Sequence, residues 1–215
     1  MIIDLHTHTR VGSDDSFIDI LELIARARKA GLDGICLTDH DWFWKRETIE
    51  KLRQEQDFLI LPGVEMNTDE GHLLVFGLEK YIFGMHRTGF LKQALDDIGG
   101  VMILAHPYRR NMYYGEEVET SVERYSHNSV FKYVDIIETH NGRATERQSR
   151  FSRELCCRLG LKATGGSDAH QISDIPSGAT SFEQDIYSVE DLITELKAGR
   201  FQPIDLRHQS RQTSK

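Results

Sequence analysis

Several short apolar segments of this chain end in histidine, aspartate or glutamate, and this recurrence limits the folds open to it. The first segment starts at Ile2 and leads directly into His6 and His8. Alternate residues of a β-strand lie on one face, so a strand here would present both imidazoles on the same side. Imidazole is the commonest metal ligand in proteins, and such a pair favours Zn, Mn or Fe over Ca or Mg. The beginning of the chain therefore predicts part of a metal site at the end of a strand.

The same pattern returns along the rest of the chain. The candidate ligands, which adjoin predicted strands or lie in the loop after the first one, are His6, His8, Asp14, His40, Glu65, His72, His106, Asp168 and His170. Any one of these residues by itself could simply cap its own strand. Together they indicate strands whose ends meet in one place, as the strand ends of a barrel do.

The order of the predicted elements gives the fold class. Apolar segments bounded by turn residues predict strands near 2–5, 34–38, 58–61, 72–76, 101–105, 134–137 and 162–164. Amphipathic segments predict helices over 17–30, 44–56, 90–98, 144–159 and 188–198, and residues 112–129 are expected to be irregular. Strands that alternate with helices indicate an α/β fold with a mostly parallel sheet. We predict a TIM-like barrel of seven strands. The alternative is an open doubly wound sheet, but the chain lacks a glycine-rich nucleotide loop.

Length and composition fit one domain. The chain has 215 residues, 39% hydrophobic and 28% charged, so we expect a single domain over 1–206 and a polar tail over 207–215. No apolar run reaches the roughly 18 residues of a membrane span, and no signal-peptide pattern opens the chain, so a cytoplasmic protein is expected. The net charge of −8 argues against a broad nucleic-acid surface. Three cysteines, an odd number, indicate no disulfide framework.

The ordered motifs resemble those of a known family. They read His6-Thr7-His8, Thr38-Asp39-His40, Gly63-Val64-Glu65, Ala105-His106-Pro107 and Gly166-Ser167-Asp168-Ala169-His170. This series is similar to the successive motifs of the PHP (polymerase and histidinol phosphatase) superfamily and spans residues 2 to about 182. The resemblance implies a distorted TIM-like (β/α)7 barrel that binds two or three divalent ions, usually Zn, Mn or Fe, and hydrolyses phosphate esters.

The resemblance also implies how the ligands divide among the ions. The first ion would take the set His6, His8, Glu65 and Asp168. Glu65 would bridge to a second ion, whose other ligands would be His72 and His106. A third ion would take His40, His170 and a residue of the loop after the first strand. That loop departs from the commoner Ser-Asp-Gly and reads Ser13-Asp14-Asp15-Ser16, so Asp14 is the preferred ligand and Asp15 the alternative.

The chemistry expected of such a site is attack on phosphorus by a hydroxide between two ions, since metal binding lowers the pKa of water. Glu65, Asp168 and Arg109 are the predicted catalytic residues. Arg109 and Arg143 follow predicted strands, where a guanidinium could bind phosphate oxygens bidentately. His140 and Asn141 are weaker candidates for substrate contact. The expected partner is a small phosphorylated substrate, which the sequence does not identify further.

Two other classes of function compete with this hypothesis. An amidohydrolase-type metal hydrolase also opens with two histidines one residue apart, but no lysine ends a predicted central strand. A non-catalytic PHP-like barrel could serve as a binding or structural subunit, including a nucleic-acid scaffold. The complete ligand set and the acidic chain disfavour that role.

Overall fold

A computed structural model of the chain describes residues 1–207, which contain ten strands and six α-helices. The strands are β1 (Ile2–Thr7), β2 (Gly34–Leu37), β3 (Leu59–Pro62), β4 (Val64–Thr68), β5 (Gly71–Phe76), β6 (Val101–Leu104), β7 (Ile136–Asn141), β8 (Lys162–Gly166), β9 (Gly178–Phe182) and β10 (Phe201–Asp205). The helices are α1 (Ile20–Lys29), α2 (Arg46–Gln56), α3 (Thr88–Ile98), α4 (Val118–Tyr125), α5 (Glu146–Leu159) and α6 (Val189–Ala198). The tail expected over 207–215 lies, apart from Arg207, outside the described residues.

The strands form two five-stranded sheets, in the orders β10-β9-β1-β2-β3 and β4-β5-β6-β7-β8. The α/β class is confirmed, but the expectation of a mostly parallel sheet is wrong. Four neighbouring pairs are parallel and four are antiparallel. One physical reason is the connection between β4 and β5, which is too short for the crossover that a parallel pair needs. The seven-stranded barrel stays a prediction, because the described strands form two hydrogen-bonded sheets.

The two sheets approach each other at two places, and both carry candidate ligands. An isolated parallel bridge pairs Thr7 with Ala169, and a second pairs His40 with Glu65. At the first, the amide of Asp168 donates to the carbonyl of His6 at 2.8 Å. At the second, the amide of Glu65 donates to the carbonyl of Thr38 at 3.1 Å. Residues far apart in sequence therefore meet where the sheets meet.

The helix ends follow local sequence signals. Thr145 caps α5 in a reciprocal capping box with Gln148, and Ser188 caps α6 as predicted. The irregular region expected over 112–129 is wrong in part, because α4 lies within it. Val118, Val122 and Tyr125 are spaced by one and two turns along α4 and are buried in the same core cluster as Phe151 of α5.

The core continues from one sheet to the other beneath the candidate ligands. Leu5 and Leu61 of the first sheet share a buried cluster with Leu74 and Ile103 of the second. Burial of large apolar side chains of this kind stabilises a fold by roughly 1.5–3 kcal/mol each. No helix among the described residues combines the length and apolarity that a membrane span requires.

Candidate metal centre

Eight of the nine candidate ligands converge between the two sheets. Strand β1 and the residue after it supply His6 and His8, the segment after β2 supplies His40, and β4 supplies Glu65. The second sheet supplies the remaining four, His72 on β5, His106 after β6, and Asp168 and His170 after β8. Three overlapping groups of side chains offer ligand atoms that lie within 4.8 Å of one another: His6, His8, Glu65 and Asp168; His8, His40 and His170; and His40, Glu65 and His72.

Glu65 lies at the middle of this arrangement and is fully buried. Its Oε2 is 3.1 Å from the Nε2 atoms of both His6 and His8. Its Oε1 is 2.7 Å from His72 Nδ1 and 2.7 Å from His106 Nε2. The two oxygens of one carboxylate thus face two different pairs of imidazoles, which is the arrangement of a bridging ligand.

Asp168 is likewise divided between two environments. Its Oδ1 lies 3.4 Å from His6 Nε2 and 3.5 Å from His8 Nε2, and it is buried without a hydrogen-bond partner. Its Oδ2 accepts hydrogen bonds from Arg109 and from Asn141. A buried carboxylate oxygen without a donor is costly unless a cation satisfies it. The spacing fits a cation, since neighbouring ligand atoms around a tetrahedral zinc ion are about 3.3 Å apart.

Backbone conformation and a close approach place two of these ligands. His106 and Asp168 have positive φ values of 26° and 53°, which residues other than glycine rarely adopt. Such conformations persist at functional sites where the surrounding structure enforces them. Gly166 precedes the Asp168 segment, and a Cβ atom there would lie 2.5 Å from Cβ of His6. Only glycine lets β8 approach β1 this closely.

The third group lies at the rim and contains the loop after β1. Asp15 Oδ2 is 3.1 Å from His170 Nε2 and 3.6 Å from His40 Nε2. Among the described residues, Asp15 and not Asp14 forms these contacts. The placement favours the alternative ligand over Asp14, although the ligand itself stays a prediction.

Two contacts behind the ligands were not predicted from the sequence. The carboxylate of Glu138 is 3.0 Å from His6 Nδ1. Ser13 Oγ is 3.1 Å from His8 Nδ1 and donates to Asp39 Oδ1 at 2.8 Å. Each contact leaves Nε2 of its histidine directed at the cluster. Glu138 could have been found, because it directly follows a predicted strand, as several of the proposed ligands do.

The predicted substrate residues occupy different surroundings. Arg109 donates to Asp168, and Arg143 lies with a guanidinium nitrogen 2.8 Å from His170 Nδ1. Asn141 is engaged by protein groups at both ends of its amide, since Oδ1 accepts from Tyr108 Oη and Nδ2 donates to Glu138. His140 instead lies 3.2 Å from Asp205 Oδ2 on β10. The structure therefore brings Arg109, Arg143 and Asn141 to the cluster but not the imidazole of His140.

Electrostatics divide the cluster into charged and neutral imidazoles. Burial alone would lower the pKa of His6, but Glu138, Asp168 and Glu65 together raise it well above its usual value. Burial would raise the pKa of Glu65, yet His6 and the hydrogen bonds from neighbouring imidazoles lower it well below its usual range. For His40 and His170, burial dominates and lowers the pKa. Metal binding at His6 would therefore have to release a proton.

A cleft of about 200 Å³ opens beside the cluster. His72 and His106 line it on one side, and Arg109, Arg110 and Tyr125 are also among its lining residues. The cleft has room for a small molecule next to the candidate ligands.

Comparisons with known proteins agree with these motifs. A family profile described as PHP domain matches residues 4–150, and one described as PHP-associated matches residues 146–201. A probable phosphatase of Thermoanaerobacter sp. is 26% identical over 93% of this chain and 92% of its own length. A probable phosphatase of Caldanaerobacter subterraneus is 27% identical over 89% of this chain and 84% of its own. The crystal structure of PsfC from Pseudomonas syringae has a TM-score of 0.65 at 17% identity and covers 98% of this chain and 93% of that one.

Proposed function

This chain belongs to the PHP domain family, and we propose on that basis that it is a metal-dependent phosphatase that hydrolyses a small phosphomonoester. The similarity to probable phosphatases over most of both chains supports the reaction class. The size of the cleft beside His72 and His106 supports a small substrate. We further propose that residues 1–206 form one domain of distorted (β/α)7 type.

The observation that carries this proposal is the two-sided environment of Glu65. One oxygen faces His6 and His8, and the other faces His72 and His106. This supports two divalent ions, drawn from Zn, Mn and Fe, that share Glu65. The rim group of His40, His170 and Asp15 supports a third. Asp14 stays the alternative to Asp15.

When bound, these ions would supply Lewis acidity and lower the pKa of the attacking water. The side chains of the chain would do the rest. Glu65 and Asp168 would position the ions relative to each other. Arg109 and Arg143 would bind phosphate oxygens, since a guanidinium has five N–H donors and one contact to the protein leaves others for a substrate.

Charge favours a phosphate over a neutral substrate. Three carboxylates against three divalent ions leave a centre of about +3, which stabilises a phosphate dianion better than a neutral amide. No lysine is among the clustered residues, which disfavours the amidohydrolase-type alternative. The complete set of buried ligands disfavours a non-catalytic role.

A metal-dependent activity screen tests the proposal. Protein stripped with chelator should be reloaded with Mn or Zn and assayed on a panel of phosphomonoesters and phosphodiesters, with Glu65→Gln as the inactive control. We expect activity on at least one monoester that depends on added metal and is absent in the variant. Metal-loaded protein with no activity on any phosphate ester would contradict the proposal.

A further inference from the structure

Glu138 of β7 lies behind the proposed ligands and touches groups from both sheets. It is buried, with 1% of its surface exposed. Its Oε1 is 3.0 Å from Nδ1 of His6, on the first sheet. Its Oε2 accepts from the backbone amide of His106 at 2.9 Å and from Asn141 Nδ2 at 2.9 Å. One side chain thus contacts two residues of the metal cluster and a third residue, Asn141, that itself donates to Asp168.

These contacts require an acceptor at both ends of the side chain. The His106 amide and the Asn141 amide nitrogen can only donate, so Oε2 must accept. His6 presents Nε2 to Glu65, so a metal on Nε2 leaves the proton on Nδ1, and Oε1 must accept as well. A carboxylate meets both demands. Glutamine has the same shape but would turn an N–H group toward a donor in either orientation.

The neighbouring backbone is built around this contact. A Cβ atom on Gly166 would lie 2.9 Å from Glu138 Oε1, in addition to its clash with His6. Any larger residue at that position would push against both partners of the Glu138–His6 pair. The close approach of β8 is therefore compatible with the pair only because residue 166 is glycine.

We propose that Glu138 is a positioning residue for metal binding: it fixes His6 with the proton on Nδ1 and Nε2 toward the metal, and it ties His6 to the segment that carries His106. This inference rests on the proposed metal centre. His8 has no such carboxylate, because its Nδ1 faces the neutral hydroxyl of Ser13. The loss of Glu138 should therefore affect the ion at His6 directly.

The first test compares zinc affinity in matched variants. Glu138→Gln removes one acceptor without changing side-chain volume. Glu195→Gln is the control, because Glu195 is also buried and charge-paired, with Arg200, but lies on α6 and has no contact with the cluster. Competition with a chromophoric chelator should show zinc binding about 10- to 100-fold weaker in Glu138→Gln, the usual effect of removing such a partner. Circular dichroism should show both variants folded, and Glu195→Gln should bind zinc like the wild type.

The second test needs no variant. In the zinc-loaded wild type with labelled histidines, long-range ¹H–¹⁵N spectra should show His6 protonated and hydrogen-bonded at Nδ1. This signature decides the question even if Glu138→Gln does not fold.

The outcomes separate the two proposals. Wild-type protein that binds no zinc would overturn the metal centre and the role of Glu138 together. Equal zinc affinity in wild type and folded Glu138→Gln, or zinc bound to His6 through Nδ1, would overturn only the role of Glu138.

Discussion

The inner and outer parts of the candidate metal centre differ in their exposure to water. The inner group, His6, His8, Glu65 and Asp168, has side chains with 0% exposure. In the outer group, the side chain of His40 is 20% exposed and that of Asp15 is 59% exposed. The inner ligands are therefore already desolvated and fixed by surrounding contacts, whereas the outer group depends on a carboxylate in a surface loop.

This difference predicts an order of metal affinity. Inner ligands lose little freedom when an ion binds, and the dry surroundings strengthen their attraction to a cation. The carboxylate of Asp15 is screened by water and must be ordered on binding. We expect the ions at Glu65 to remain bound during purification and the rim ion to exchange.

The largest effect should come from Glu65, which joins the inner and outer groups. Glu65→Gln removes the shared charge, so we expect at least two ions to be lost. Several kcal/mol of metal-dependent stabilisation of the transition state would go with them, which corresponds to about a 10³-fold fall in activity. Elemental analysis and the phosphatase assay measure both quantities. His140→Ala, which changes an imidazole paired with Asp205 instead, should keep its metal, and a variant of Glu65 that keeps all its ions would break the comparison.

Arg109 lies at the boundary between the two groups, because its side chain is 36% exposed and its guanidinium contacts buried Asp168. Loss of a charge-assisted hydrogen bond to phosphate costs roughly 1.5–3 kcal/mol, so kcat/KM of Arg109→Ala should fall by about one to two powers of ten. Metal content at saturating zinc should be retained, because Asp168 keeps its contact with Asn141.

Arg110→Ala is the matched control for this experiment. Arg110 is exposed, and no hydrogen bond or ion pair of its side chain is found within residues 1–207. We expect a change in kcat/KM of less than about threefold, since surface substitutions usually have small effects. Equal losses in the two variants would show that general positive charge, and not the contact at Asp168, binds the substrate.

The rim ion can be removed alone if the inner and outer groups are as distinct as their exposure indicates. Asp15→Asn should lower the metal content by at most one ion per chain and leave the ions at Glu65 in place. Asp14→Asn, the neighbouring substitution, should leave the content unchanged, because Asp15 and not Asp14 contacts His170 and His40. Elemental analysis of the two variants after identical dialysis makes the comparison, and loss of the ion from Asp14→Asn would reverse the assignment.

The smallest effect concerns the stability of chelator-treated protein above pH 6.5. The pKa of His6 is raised, so its contribution to stability is complete below the unfolded value of 6.5 and is lost as pH rises through the folded value. The melting temperature should therefore decline between pH 6.5 and about 9 in the presence of chelator. Zinc should remove the decline, because a metal-bound imidazole carries no proton to lose. A decline of equal size with zinc bound would assign it to other groups.

The inner group was largely accessible to sequence analysis, because its members follow apolar strands at whose ends little else explains a histidine or a carboxylate. Glu65 and Asp168 both lie in the cluster. The choice between Asp14 and Asp15 was not accessible, since it depends on how an exposed loop turns. The same is true of β9 and β10, whose pairing with β1 is set by contacts across the whole chain. Sequence alone could identify Glu138 as a candidate but could not show that it contacts His6.

The central claim is that the two oxygens of Glu65 serve two different ions, and anomalous diffraction from zinc-loaded crystals tests it most directly. We expect one ion about 2.0–2.2 Å from Oε2, with His6 and His8 as ligands, and a second at the same distance from Oε1, with His72 and His106. The two ions should be about 3.5–4 Å apart. A single ion bound by both oxygens of Glu65, with no anomalous density near His72 and His106, would contradict the claim.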